Sequence, residues 1–404
     1  MFLVQMPPSS AKSGTGAASA AQRKALRPFL GMIDAVLVHG PADFSFSGAV
    51  ASDDAAAVWT WMVRDVAPDL IDVAAIDDSA ISHAAVESLL PELLARARKA
   101  LLAAESSVEL TRRLKTALGG DEVFARLPTV LNALRCRGLL EKAQGFGRAA
   151  NGMADEAALA LALQSMPLSD QPVAALLLQA AVGQVANPTR LVTAAIRIAG
   201  AATEPALVRA GFAPLVEAIL AHAQDQIPAL AQMGTFGDMD LVCRSVDRFH
   251  RLMRAVTGYV ELNRGSRWST VGAALIKAAS NRVEPKLKDV GPDMNQALRR
   301  REGYDRLDSD QVLMALNGLY LLATVRESRD SLAVNATFDQ VWAQTGQALE
   351  IHLERLLQQG RASPDDAVIA ARLDAALKMA EIRFGQDYAD TLRRSRDAAV
   401  ERRA

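Results

Sequence analysis

"RLVTAAIRIAGAATEPALVRAGFAPLVEAILAHA", residues 190–223, is the stretch whose reading decides the fold. It reads as a helix, a short turn at Ala210-Gly211-Phe212, and an amphipathic helix led by Pro214. Glycine supplies the backbone freedom a tight turn needs. Proline suits the first helical turn because its missing N–H would be unpaired there in any case. Three more segments open in the same way, at Pro91 ("PELLARARKALL"), Pro128 ("PTVLNALRCRGLL") and Pro172 ("PVAALLLQAAVGQV"). Their spacing of about forty residues is that of repeats built from two or three stacked helices.

Composition points the same way. Half of the 404 residues are apolar and only 5% are aromatic. Alanine is abundant, has the best helix propensity, and lets helices approach closely. The expected fold is all-α and multi-helix. The leucines after the four prolines keep no single register, and Leu90, Leu127, Gln171 and Ala213 are not preferred caps. A stacked solenoid and an irregular helical bundle therefore both fit the pattern.

With its helix, glycine turn and proline-led helix in that order, residues 190–223 resemble one armadillo/HEAT-type repeat. The resemblance extends over roughly a third of the chain. It implies helices stacked as an α-solenoid.

Other helix signals surround this centre. Ser52 is placed to cap a helix, with Asp53 and Asp54 in its positive first turn. Val58, Trp59, Met62, Val63 and Val66 form an apolar stripe there, and Trp61 falls off it. "FSFSG" near residue 44 reads as a loop. Asp308 with Gln311 and Thr337 with Gln340 match the capping box. Gly360 is a natural C-cap for "FDQVWAQTGQALEIHLERLLQQG". Ser363-Pro364-Asp365-Asp366 then starts a helix running to about Phe384, antiparallel to its predecessor because the link is short. The expected organisation is a disordered tail over 1–27, a repeat-like helical region over 28–233, and longer helices over 234–404.

Charge is unevenly placed although the net charge is −1. From Asp34 to Glu87 ten carboxylates face the single Arg64, whereas the stretch of about seventy residues after 233 is basic. The basic block centres on "SVDRFHRLMRAVTGYVELNRGSRW", residues 245–268. On a helical wheel Phe249, Met253, Val256 and Val260 make a buried stripe. Arg244, Arg248 and Arg251 line up opposite it, with His250 and Arg254 on one flank. Arg264, Arg267 and Trp268 follow. Guanidinium groups near aromatic rings suit carboxylate or phosphate recognition. Arg244, Arg248, Arg251, Arg254, Arg264, Arg267, Trp268 and Trp61 are therefore the candidate partner-binding residues. An ordinary solvated helix face explains the same arginines without a ligand. Arginine abundance alone argues nothing, since it accompanies alanine in GC-rich bacterial genomes.

Several chemistries find no support in the sequence. Cys136 and Cys243 lie far apart and outside any CxxC pattern, which fits a reducing compartment. Asp247 and His250 supply one acid-x-x-His pair, where a di-metal bundle needs two. There is no GxxxxGK[ST] loop and no GxSxG elbow, and "GFGRAANG" lacks the spacing of a nucleotide loop. No catalytic residue, metal or cofactor is expected. No apolar run reaches the ~20 residues that span a bilayer. The expected protein is a soluble, cytoplasmic, non-enzymatic scaffold or adaptor. Its partner would be an acidic protein or a second copy of the chain, with nucleic acid disfavoured by the net charge and no small-molecule ligand inferred. Two alternatives stand beside it. One is a secreted bacterial effector whose acid-free leader is a delivery signal. The other is an enzyme whose site is invisible as a motif.

Overall fold

Serine, aspartate and glycine residues between the apolar stretches set the helix boundaries, as the computed structural model shows. It describes residues 27–39, 43–231, 237–299 and 306–401. Residues 1–26 of the expected tail, and the expected boundary at 233, lie outside the described residues. The described residues are all-α, with seventeen α-helices, and strand is confined to β1 (Leu37–Val38) and β2 (Val50–Ala51). The chain divides into two units: residues 27–37 with 50–138, and 38–49 with 139–401.

The first unit holds α1 (Pro28–Gly31), α2 (Ser52–Trp61), α3 (His83–Glu105), α4 (Val108–Leu118) and α5 (Asp121–Arg135). Phe29 stacks on Trp59 with ring centroids 4.5 Å apart, and the Trp59 indole donates to the Ala75 carbonyl at 2.7 Å. Ser82 caps α3 by accepting the Ala85 amide, and Ser107 caps α4 by accepting that of Leu110. Gly119, at φ +94°, ends α4 in the left-handed conformation. Two expectations are corrected here. Ser52 is the first helical residue rather than the cap, because the strand-like backbone at Ala51 leads straight into the helix. Pro91 and Pro128 sit inside α3 and α5, not at their starts. Ser82 and Gly120 begin those helices earlier, and both prolines occupy exposed positions, where the carbonyl each leaves unpaired can reach water.

The second unit continues from α6 (Arg137–Gly152) through α7 (Glu156–Gln164), α8 (Gln171–Val182), α9 (Thr189–Ala199), α10 (Glu204–Arg209) and α11 (Ala213–Gln226). It ends with α12 (Met239–Thr257), α13 (Arg267–Leu298), α14 (Ser309–Ser328), α15 (Asn335–Ala362), α16 (Ala367–Phe384) and α17 (Gln386–Glu401). One continuous core runs from Val38 to Ala380. Pro172 and Pro214 do lie in the first turns of α8 and α11.

Helices two apart in sequence run side by side in this unit: α12 beside α14, α13 beside α15, α14 beside α16. On α12 Cys243 meets the Thr324 side chain of α14, and the His250 ring meets Ser331 Oγ at 3.0 Å just past its end, so α12 and α14 run in the same direction. Thr337 and His352 on α15 meet Glu284 and Asn295 on α13 at 2.9 Å each, again with parallel order. Thr337 is thus no cap, because α15 already begins at Asn335. Asp308 does cap α14, accepting the amides of Asp310 and Gln311. Gly360 is helical and α15 runs on to Ala362, after which Asp366 caps α16. Arg383 near the end of α16 donates to the Trp342 carbonyl near the start of α15 at 2.7 Å, so these two helices are antiparallel.

α8 occupies the middle of the core, and its residues from Val173 through Val182 are all buried. At two points a neighbouring backbone comes so close to it that only glycine fits. A Cβ on Gly147 of α6 would press into the Ala181 carbonyl and come within 2.9 Å of Gln184 Cβ, whereas one on Gly145 would meet nothing. Two substitutions one turn-half apart should therefore act in opposite directions. Gly147→Ala should lower the unfolding free energy by about 2 kcal/mol, overpacking outweighing the helical gain. Gly145→Ala should raise it by up to about 1 kcal/mol through helix propensity alone. Urea unfolding of both variants checks the signs, and a stabilising Gly147→Ala would contradict the close approach.

Candidate partner-binding surface

A helix buried along its length cannot leave its terminal carbonyls to water, so the protein must supply donors. At the N-terminal end of α8, Asp170 accepts the Val173 amide at 3.3 Å. At the other end Arg248, reaching over from α12, donates to the carbonyls of Val182 (2.7 Å), Val185 and Ala186 (3.4 Å). Asn151 closes the same turn, donating to the Gln184 carbonyl at 2.9 Å and accepting the Ala186 amide at 2.8 Å. His222 Nε2 donates to the Gln179 carbonyl at 2.8 Å. A cation at a helix C-terminus also meets the negative end of the helix dipole. Arg190 does the same for α6, donating to the carbonyls of Ala150 (2.7 Å) and Met153.

This burial perturbs the titrating groups. Burial lowers the His222 ring to about 4, opposed by its bond to the Gln179 carbonyl and assisted by the nearby Arg248 cation. Burial likewise brings Arg248 down to about 10, with Arg251 contributing, so it stays charged at neutral pH. His250 and His352 are both held below the ordinary histidine value, again chiefly by burial.

The eight candidate residues do not form one surface. Trp61 and Trp268 are corrected outright: at 3% and 5% exposure they are core residues and offer no face to a partner. Trp61 lies off the α2 stripe because α2 is covered on more than one side, by α5 as well as α4. Arg248 is half-buried and committed to α8. Arg267 bridges to Glu217 at 2.5 Å and to the Ser45 carbonyl at 2.6 Å. Arg244 and Arg251 are exposed, each 2.8 Å from a carboxylate one turn back, Asp240 and Asp247. Arg254 and Arg264 are exposed and have no ion pair among the described residues. The further arginines at 300 and 301 lie outside the described residues.

Arg254 and Arg264 flank the turn after α12. That turn is pinned to the start of α10: Glu261 exchanges backbone hydrogen bonds with Ala202 and Glu204 at 2.9 and 3.2 Å, and the Asn263 amide donates to Glu204 Oε2 at 3.1 Å. Tyr259, 39% exposed, stands between the two arginines in sequence, and exposed Val208 and Arg209 lie on α10. Val208 and Arg209 were not distinguishable in the sequence, since long-range contacts, the Thr203–Glu261 bridge and the Asn263–Glu204 bond, bring their helix to this turn. Among the described residues no group of three or more His, Cys, Asp or Glu side chains is placed to hold a metal ion. None of the described helices is long and apolar enough to cross a membrane. No protein-family model, curated protein or solved structure matches the chain.

Two measurements test this account of the charges. Arg248→Met should cost roughly 3 kcal/mol of stability by orphaning buried carbonyls. Arg244→Met, losing only an exposed pair, should cost less than about 0.5 kcal/mol. The second measurement is pH dependence. The unfolded chain protonates His222 near its ordinary pKa of 6.5, while the folded ring resists until about 4. Its stabilising contribution is therefore complete above pH 6.5 and lost as pH falls toward 4, by at most about 3 kcal/mol. His222→Gln should flatten this part of the stability–pH curve relative to the native chain, and parallel curves would contradict the assignment.

Proposed function

We propose that the protein is a non-enzymatic binding scaffold whose second unit presents a helical surface to an acidic protein partner. The observation that carries this reading is the pair Arg254 and Arg264, exposed, without ion pairs among the described residues, and with the half-exposed Tyr259 between them in sequence. Guanidinium groups with no carboxylate of their own can bind a partner's carboxylates in bidentate fashion, without first breaking an internal pair. An exposed tyrosine adds apolar area at small conformational cost, which is why tyrosine and arginine dominate interface energetics. The side-by-side order of helices two apart in sequence supports a solenoid-like reading, in which neighbouring helices offer one extended face.

The test is quantitative capture from native lysate with the native chain, an Arg254→Glu/Arg264→Glu variant and Arg244→Glu. Truncating or reversing charges that meet a partner costs about 2 kcal/mol or more, so capture by the double variant should fall roughly tenfold or further. Arg244→Glu should bind as the native chain does, and circular dichroism should be the same for all three. Undiminished capture by the double variant would remove this surface from the proposal. Capture of nucleic acid instead of protein, falling steeply with salt, would replace the partner class.

A further inference from the structure

The first unit carries an apolar ridge of its own, set among carboxylates. From Asp65 to Glu92 the chain has seven carboxylates and no lysine or arginine. Asp72 and Asp77 are exposed and cap short 3-10 turns, accepting the amides of Ala74 and Ser79 at 2.8 and 3.1 Å. Asp69 and Glu92 share one cation, Arg96, at 2.5 and 2.7 Å. Between these acids Leu70, Val73 and Ile76 stand 38%, 66% and 37% exposed. Val73 and Ile76 occupy one 3-10 turn, Val73–Ile76, in which side chains three apart eclipse, so they share a face. Large apolar side chains grouped on a surface mark a place that something covers.

The chain enters the described structure at this ridge. Asp78, itself buried, accepts the amide N–H of Phe29 at 2.7 Å and of Leu30 at 3.0 Å, and the Arg27 cation acts on its carboxylate. Residues 1–26 thus join the described chain beside the acidic turns. Their sequence contains Lys12, Arg23 and Lys24, no aspartate or glutamate, and the apolar run Met1-Phe2-Leu3-Val4. Their positive charge complements the carboxylates, and their apolar residues suit contact with the exposed apolar side chains of the ridge.

We propose that the Leu70–Ile76 ridge and its carboxylates are a docking surface for this chain's own residues 1–26. Tethering makes the contact intramolecular, with an effective concentration in the millimolar range. A weak apolar contact, reinforced by Lys12, Arg23 and Lys24 against Asp72 and Asp77, then suffices to keep the surface covered. The inference is independent of the arginine surface of the second unit.

Carbodiimide cross-linking of the full chain, read by mass spectrometry, tests it. A one-to-one mixture of isotopically light and heavy chains separates contacts within a chain from contacts between chains. Lys12 should join Asp72 and Asp77 in preference to other exposed carboxylates of the first unit, and only within like-labelled chains. Val73→Ser/Ile76→Ser should cut those products severalfold, with unchanged circular dichroism. Leu102→Ser, at another exposed apolar position in the same unit, should leave them intact. Lys12 products spread evenly over the unit's carboxylates, or insensitive to Val73→Ser/Ile76→Ser, would overturn the proposal. So would products dominated by light–heavy pairs, which would make a second copy the occupant.

Discussion

The second unit depends on one constraint: α8 is buried from Val173 to Val182, so the carbonyls of its last turn need donors from the protein. Where a neighbouring backbone approaches it most closely the residue must be glycine, and its last carbonyls must find donors among side chains. Gly48 and Gly147 meet the first requirement, and Arg248, Asn151 and His222 meet the second. An unsatisfied buried carbonyl costs as much as several good packing contacts gain, so these polar groups are as much part of the core as the leucines. Around α8 the other helices of the unit pack in a continuous apolar core that extends to Ala380.

The same requirement explains where the arginines go. Arg190 serves α6, Arg248 serves α8, and Arg383 lies over the Trp342 ring, 3.5 Å from its centroid, while donating to that residue's carbonyl. Arg244 and Arg251 answer acids on their own helix. In the first unit the carboxylates are occupied similarly: Asp72 and Asp77 close turns, Asp78 holds the backbone of α1. Arg254 and Arg264 on one unit, and Val73 and Ile76 on the other, are among the exposed residues not taken up in this way.

Helical content was legible because it rests on local signals. The stripe Phe249, Met253, Val256 and Val260 is buried as its spacing requires, and Asp308 caps where its position before an apolar run implies. Pro172 and Pro214 do mark the first turns of α8 and α11, whereas at Pro91 and Pro128 the helix has already begun upstream, after Ser82 and Gly120. The surface was legible in part. A helical wheel sorts residues by one buried direction, and α12 has several, packing on α11, α14 and α9 together. His250 therefore turns inward and Arg248 is drawn to α8, although both lie outside the apolar stripe. The partners of Arg248 are backbone carbonyls more than sixty residues away, and carbonyls leave no trace in a sequence. Trp61 and Trp268 were misleading for the same reason, since a tryptophan off one stripe is on another when a second helix covers it.

Native-state hydrogen exchange at the amides of α8 tests the central claim most directly. If its burial and the Arg248 and His222 caps organise the unit, the amides from Ala175 to Val182 exchange only when the whole unit unfolds. Their opening free energy should then match the global value, with the same steep dependence on denaturant. Exchange through a local opening of α8, at lower free energy and with little denaturant dependence while α11 and α12 stay protected, would contradict the account.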